Sequence, residues 1–171
     1  PKKKIYLFAD EFTNYNDTII GIEGIKLLTA LGYCVSIPDH NLSGRSFLSK
    51  GLIRKAGRIA TDNVSKLSSL VSSDSPLLGI EPSAILGFRD EFPELVPEEY
   101  RGRALKLAEN ALLLDEFICD EFRVGNISSS LFSTEARKVL LHGHCQQKAV
   151  ASTGSTIEML SIPENYTVEE I

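Results

Sequence analysis

Brief apolar runs recur along the chain, and each is followed by a polar stretch and then by a helical pattern of apolar residues. Such runs, bounded by turn-forming residues, are typical of buried strands. They predict five strands, at residues 5–8, 34–37, 77–80, 139–141 and 166–171.

The segments between these strands carry helical periods. The first has apolar or small residues at helical spacing, at Ile19, Ile22, Ile25 or Lys26, and Leu28 or Thr29. Longer helices are predicted at residues 47–71, 98–122 and 147–160, and a short one capped by Ser83. This alternation predicts an α/β fold with a doubly wound, mostly parallel sheet of about five strands and helices on both faces. The flavodoxin-like strand order 2-1-3-4-5 is the first expectation.

The length of the chain and its first and last residues bear on its domain organisation. The 171 residues suffice for a single α/β domain, spanning 1–171, with one core. The chain starts with Pro1 rather than Met, and Ile171 ends an apparent strand. We therefore expect a fragment of a longer multidomain chain.

Composition argues against two classes of partner. The net charge is -5, so no basic face invites nucleic acid. No apolar run approaches the ~20 residues of a membrane span. The three Cys are far apart and odd in number, which favours a reducing compartment such as the cytoplasm over a disulfide framework.

Polar residues follow the predicted strands, where the carboxyl ends of parallel strands meet at one edge. They are Asp10, Glu11, Thr13 and Asn14, then Asp39 and His40, then Glu81 and Ser83, and finally His142, His144 and Cys145. Taken singly, Asp10, Asn14 and Ser83 are explained as helix caps or turn residues. The turn around Ser43 and Arg45 is open to two interpretations, an anion-binding turn or a simple cap. Taken together, the groups predict a binding site at that edge.

The segment His142-Gly143-His144-Cys145 holds two of the three His and one of the three Cys. Three interpretations of Cys145 stay open. The thiol is a nucleophile activated by a helix N-terminus and His144, a metal or cluster ligand, or a structural group. Cys34 and Cys119 are expected to be small core residues.

Several motifs in order along the chain resemble one known family. They are residues 10–15 (DEFTNY), 43–52 (SGRSFLSKGL), 79–83 (GIEPS), 88–93 (FRDEFP) and 142–149 (HGHCQQKA). Together they are similar to the cysteine-rich "CCG" domain of FAD-linked, iron–sulfur D-lactate dehydrogenase and glycolate-oxidase-type proteins. This sequence departs from the family where relatives often have Cys, at Leu42, Ser43 and Ala84.

The resemblance implies a chain that is inactive by itself and works with FAD-binding and ferredoxin-like domains of a larger protein. That protein would oxidise a 2-hydroxy acid of the D-lactate or glycolate type and pass electrons through iron–sulfur centres to an acceptor. It would be cytoplasmic or peripheral to the inner membrane. The domain would contribute to electron transfer or to docking. Cys145 would be a cluster or redox ligand whose site is completed beyond residue 171, and His142 and His144 would tune it by hydrogen bonding.

The alternative is a stand-alone α/β module that binds a small anion at the sheet edge. Its candidate ligands are Thr13, Asn14, Ser43, Arg45 and Ser83, with Glu81 beside them.

Overall fold

The computed structural model describes residues 2–171, which form two compact units, residues 2–113 and residues 114–171. The first unit contains strands β1 Lys4–Leu7, β2 Cys34–Ser36, β3 Leu77–Gly79 and β4 Ala111–Leu113. Its helices are α1 Glu11–Tyr15, α2 Thr18–Ala30, α3 Arg45–Leu48, α4 Ile53–Leu67, α5 Pro82–Ile85, α6 Phe92–Leu95 and α7 Glu98–Ala108, with a 3-10 turn at Leu86–Phe88.

The second unit contains α8 Leu114–Arg123, a 3-10 turn at Ser129–Leu131, β5 Arg137–Leu141, α9 Cys145–Val150, α10 Gly154–Leu160 and β6 Tyr166–Glu170. The single helix predicted at 147–160 is therefore two helices, separated by residues 151–153. Within residues 2–171 no helix combines the length and the apolar character needed to cross a membrane.

Strands β1 to β4 form a parallel sheet in the order β2-β1-β3-β4. The two central strands are almost fully buried, with Ile5, Leu77 and Leu78 each 0% exposed. Strands covered on both faces are expected to be continuous apolar runs, as these are. The predicted α/β class with a parallel sheet is confirmed, and the order agrees with the first three places of the predicted 2-1-3-4-5. The fourth place is taken by β4, and the strand predicted for that place, at residues 139–141, lies outside this sheet.

Strand β4 lies inside the predicted helix 98–122, and that prediction is wrong. The segment forms α7, then the strand Ala111–Leu113, then α8. Ala111 and Leu113 are 0% and 2% exposed, and the residues of β4 pair with β3. The flanking helical pattern is continuous enough to hide a three-residue strand, so tertiary pairing overrides local propensity here.

Two further helix boundaries differ from the sequence prediction. The helix expected at 47–71 is divided into α3 and α4 because Gly51 has a φ of +71°, which no right-handed helix contains. Ser83 does not cap α5. Glu81 occupies the cap position, followed by Pro82 at the first turn.

Strands β5 and β6 occur where the sequence predicted them, but they pair only with each other, as a two-stranded parallel sheet. Their residues are intermediate or exposed in burial, and Lys138 forms an ion pair with Glu169 at 2.6 Å across the pair. A parallel strand with charged residues on its surface does not fit the buried interior of a larger sheet. The expectation of one sheet of about five strands is corrected to four strands plus two.

Helix α2 buries its smallest residues. Gly21, Gly24 and Leu28 point inward, whereas Ile19 and Ile22 are 70% and 51% exposed. A Cβ placed on Gly21 would lie 2.8 Å from Cγ2 of Thr13. The glycine side of the helix therefore packs closely against α1, and the isoleucines lie on the surface.

Candidate functional site

The carboxyl edge of the four-stranded sheet is built from the segments that follow β1, β2 and β3. Helix α1 follows β1 directly, the segment 37–44 links β2 to α3, and α5 follows β3. Parallel strands bring these three segments to one edge. The polar residues predicted there are consequently on neighbouring segments of this unit.

Asp10 caps helix α1 from a buried position, 1% exposed. Its Oδ1 accepts hydrogen bonds from the N–H groups of Phe12 at 2.9 Å and Thr13 at 3.1 Å, and its Oδ2 accepts from the Thr13 hydroxyl at 2.7 Å. Burial raises the pKa of Asp10 above its ordinary value, although the bonds from Thr13 and Phe12 act in the opposite direction. Asp10 therefore caps α1 and also accepts the hydrogen bond of the Thr13 hydroxyl.

Glu11 joins the segment after β1 to the segment before α3. One carboxylate oxygen accepts from the N–H of Ser43 at 2.7 Å and the other accepts from its hydroxyl at 2.8 Å. The Ser43 oxygen also accepts from the N–H of Arg45 at 3.1 Å. Ser43 is 3% exposed, so this two-point contact is largely removed from water. We call it the Glu11–Ser43 clamp.

Arg45 is held by a second acid. Its guanidinium donates to Oε1 of Glu91 in a close ion pair. The other oxygen of Glu91, Oε2, is buried and has no hydrogen-bond partner among the described residues. The positive charge of Arg45 is therefore balanced within the fold.

Ser83 repeats the same arrangement after β3. Its hydroxyl donates to Oε1 of Glu81 at 2.7 Å, and its N–H lies 3.3 Å from the same oxygen. The side-chain donors of the predicted anion ligands Thr13, Ser43, Arg45 and Ser83 are thus each bonded to a carboxylate. The carboxylates beside these four side chains disfavour an added anion there.

Asn14 is exposed and lies beside a cavity of about 190 Å³ at this edge. Glu11, Tyr15, His40 and Asn41 line the same cavity. The His40 ring packs on Phe8 with ring centroids 4.5 Å apart. This cavity is open to a ligand, whereas Thr13, Ser43, Arg45 and Ser83 at the same edge are each bonded to a carboxylate of the protein.

Asn63 on α4 fixes the segment that carries this cavity, and the sequence analysis missed it. It is 0% exposed, its side-chain oxygen accepts from the N–H of Asn41 at 2.7 Å, and its amide donates to the carbonyl of Leu42 at 2.9 Å. Asn63 is a polar residue on the apolar side of α4, and this position could have predicted a buried structural role from the sequence. Buried amides are placed where they satisfy backbone groups.

The His/Cys segment belongs to the second unit, between β5 and α9. His144 is the N-cap of α9, and its Nδ1 accepts from the N–H of Gln146 at 3.1 Å. Cys145 is the first residue of that helix and is exposed, as is His142. The sequence predicted this segment at the edge of the sheet on the basis that β5 is one of the sheet's strands. β5 is not part of the four-stranded sheet, so strand topology gives no reason for that expectation.

A buried polar cluster, also missed from sequence, joins three helices of the second unit. The Gln147 amide lies 3.1 Å from Oδ2 of Asp115 and 2.9 Å from the hydroxyl of Thr156. The Thr156 hydroxyl donates to the same carboxylate oxygen. Asp115 and Gln147 are 8% and 5% exposed. No motif linked residues so far apart in the chain.

The donor set of the described residues does not fit an iron–sulfur cluster by itself. Residues 2–171 contain no group of three or more His, Cys, Asp or Glu placed to hold a metal ion. Ser43 and Ala84 stand where relatives often have Cys and carry no thiol, and the hydroxyl of Ser43 is bonded to Glu11.

The two remaining cysteines differ from each other in burial. Cys119 is buried and donates to the carbonyl of Ser155 at 3.2 Å, and burial raises the pKa of its thiol to about 12. Its predicted place in the core is confirmed. Cys34 lies on β2 but is exposed, so the same prediction is wrong for Cys34, because β2 is an edge strand of the sheet.

The chain is similar to parts of several known dehydrogenases. The D-2-hydroxyglutarate dehydrogenase of Escherichia coli K12 is 22% identical over 145 residues, 85% of this chain and 13% of the relative. That of Pantoea ananatis is 26% identical over 116 residues, 68% of this chain and 11% of the relative. A subunit of the anaerobic glycerol-3-phosphate dehydrogenase of Escherichia coli K12 is 24% identical over 161 residues, 93% of this chain and 39% of the relative.

The matched stretch is thus a small part of the two D-2-hydroxyglutarate dehydrogenases and well under half of the third relative. No family model matches the chain. No solved structure matches it either. The resemblance predicted from the motifs is nevertheless confirmed: the chain is a homologue of D-2-hydroxyglutarate dehydrogenases and of a subunit of anaerobic glycerol-3-phosphate dehydrogenase, and it resembles the cysteine-rich domains of FAD-linked iron–sulfur oxidoreductases.

Proposed function

We propose that the chain is a cysteine-rich-type domain of an FAD-linked iron–sulfur oxidoreductase that oxidises a 2-hydroxy acid. FAD and the substrate are bound by other domains of that protein in this proposal. The similarity to D-2-hydroxyglutarate dehydrogenases over 85% of the chain supports it. Three unpaired thiols are in keeping with work in a reducing cytoplasm.

Within such a protein the four-stranded unit has a docking role rather than a cluster of its own. The observation that carries this assignment is the Glu11–Ser43 clamp, with Ser43 at a position where the family resemblance implies Cys. The edge segments are held together by carboxylates and need no metal to keep their shape. The same pairing disfavours the stand-alone anion-binding alternative, because a carboxylate lies beside four of its five candidate ligands.

Cys145 is assigned a separate role as one ligand of a redox centre. Its thiol is exposed at the first residue of α9, where a partner group can reach it. The remaining ligands would come from other parts of the full-length protein. His144 acts as the cap of α9 and fixes the backbone that carries the thiol.

The substrate class is tested with the full-length protein purified without oxygen. Reduction of an artificial electron acceptor is followed with D-2-hydroxyglutarate, D-lactate, glycolate and glycerol 3-phosphate in turn. We expect turnover with one or more of the three 2-hydroxy acids and none with glycerol 3-phosphate. Turnover with glycerol 3-phosphate alone, or with none of the four, would contradict the proposal.

The role of Cys145 is tested by Cys145→Ser, with Cys34→Ser as the matched control because Cys34 is also an exposed thiol. Iron content and the EPR spectrum of the reduced full-length protein are the readouts. We expect Cys145→Ser to lose or alter one signal and Cys34→Ser to change nothing. Identical spectra for both variants and the unmodified protein would refute the ligand role and leave docking as the function of the domain.

A further inference from the structure

An apolar surface of the first unit is left exposed by residues 2–171. Ile19 and Ile22 on α2 are 70% and 51% exposed, and Ile37, just after β2, is 54% exposed. Residues three apart on a helix lie on one face, so Ile19 and Ile22 are neighbours. Ile22 and Ile37 line a common cavity. We call these three residues the α2 face.

The helix cannot turn to hide this face. Its inward side consists of Gly21, Gly24 and Leu28. A Cβ on Gly21 would come within 2.8 Å of Thr13 Cγ2, so no larger side chain fits between α1 and α2. Rotating the helix to bury Ile22 would force an isoleucine into a space that excludes even a methyl group.

The cavity shared by Ile22 and Ile37 measures about 210 Å³ and is lined largely by apolar residues. Ile25 and Leu7 are among them. A concave apolar site of this size accommodates one large side chain, the kind of anchor that carries much of the energy of an interface. The α2 face thus combines raised apolar residues with a recess beside them.

Charges next to the face neutralise one another. Glu23 and Lys26 of α2 form an ion pair at 2.8 Å, and both are exposed. This pair adds no net charge beside the face, and charged residues are depleted at the core of an interface. An apolar protein surface is the matching chemistry.

We propose that the α2 face docks another domain of the same full-length oxidoreductase, which inserts an apolar side chain into the cavity between Ile22 and Ile37. The inference rests on the proposed function in one respect, that the chain is one domain of a larger protein. The matched stretch is 13% of one dehydrogenase relative and 11% of another, so those proteins contain ample further chain to cover such a face.

Thiol accessibility in the full-length protein tests this docking. Ile19→Cys is compared with Leu105→Cys, a helix position of the same unit that is 48% exposed. The rate of reaction with a polar maleimide is followed by peptide mass spectrometry, in native buffer and in urea. We expect the native rate at position 19 to be at least about tenfold below the unfolded rate, and the two rates at position 105 to be similar. Ile37→Cys, outside any helix, is a second probe of the same face.

A protection factor at position 19 no larger than at position 105 would overturn the proposal. Protection that disappears on dilution together with a dimer in sedimentation would also overturn it, because a second copy would then be the occupant. The same preparations are assayed for 2-hydroxy-acid oxidation. Activity without protection at position 19 refutes docking of the α2 face but keeps the proposed oxidoreductase function. Protection without activity keeps the docking and refutes that function.

Discussion

Replacing Gly21 by alanine tests the packing that fixes α2. The added Cβ would lie 2.8 Å from Cγ2 of Thr13, a buried side chain whose hydroxyl is bonded to Asp10. Thr13 is 7% exposed, and turning its side chain to move Cγ2 would also move the hydroxyl away from Asp10. The substitution therefore adds a clash at the closest contact between α1 and α2.

Two opposing terms set the size of the effect. Alanine in place of glycine inside a helix favours folding by about 1 kcal/mol. Overpacking of a closely packed contact costs about 1–3 kcal/mol. We expect Gly21→Ala to lower the free energy of unfolding by about 1 kcal/mol, equivalent to roughly 2–4 °C in Tm for a chain of this size.

Urea denaturation of Gly21→Ala is compared with two matched variants. Gly102→Ala lies in α7 with no atom within 4 Å of the new Cβ, so it should stabilise the chain by about 0.5–1 kcal/mol. Adding Thr13→Ser removes Cγ2 and keeps the hydroxyl. In that background Gly21→Ala should become neutral or stabilising.

The explanation fails if Gly21→Ala raises the unfolding midpoint as much as Gly102→Ala does. It also fails if Thr13→Ser leaves the cost of Gly21→Ala unchanged, because the clash would then lie with another group.

Three further predictions concern buried polar groups. Glu11→Ala leaves the hydroxyl and N–H of Ser43 without their acceptor, so it should lower the free energy of unfolding, measured by urea denaturation, by about 2 kcal/mol. The control Glu23→Ala breaks an exposed ion pair and should lower it by less than about 0.5 kcal/mol. Equal losses would contradict the clamp. Because burial raises the thiol pKa of Cys119 to about 12, only two of the three thiols should react with an aromatic disulfide at about pH 8 in the native state, and a third rapid reaction would refute its burial. The pKa of Asp10 is raised above 3.8 by burial, so the stability that Asp10 contributes is fully present below that pH and is lost as pH rises through the higher folded-state pKa. The unfolding free energy of the unmodified chain minus that of Asp10→Asn should therefore fall as pH rises through that window, and a pH-independent difference would contradict this.

The sheet was predictable where burial imposes a continuous apolar run. Strands β1 and β3 lie within one residue of their predicted limits, because buried parallel strands have a strong sequence pattern. The edge strand β2 lies equally close to its predicted limits, although its residues are exposed or intermediate in burial. Strand β4 was not predictable, since Ala111–Leu113 also continues the apolar period of the helices on both sides. Its identity as a strand depends on pairing with β3.

The site was predictable in position but not in its bonding. The sequence placed Glu11, Ser43 and Glu81 on segments that meet at the sheet edge, which follows from parallel topology alone. The hydroxyls of Ser43 and Ser83 donate to Glu11 and Glu81, and these bonds depend on side-chain distances that sequence spacing does not predict. For the same reason the partners of Asn63, twenty-two residues away from Asn41, were missed.

The cluster of Asp115, Gln147 and Thr156 has a consequence for how the second unit opens. One carboxylate ties together α8, α9 and α10, across sequence separations of 32 and 41 residues. Releasing any one helix removes at least one hydrogen bond from this buried cluster, so partial release is disfavoured. In native-state hydrogen exchange, slow amides of the three helices should therefore report one common opening free energy and behave as a single foldon.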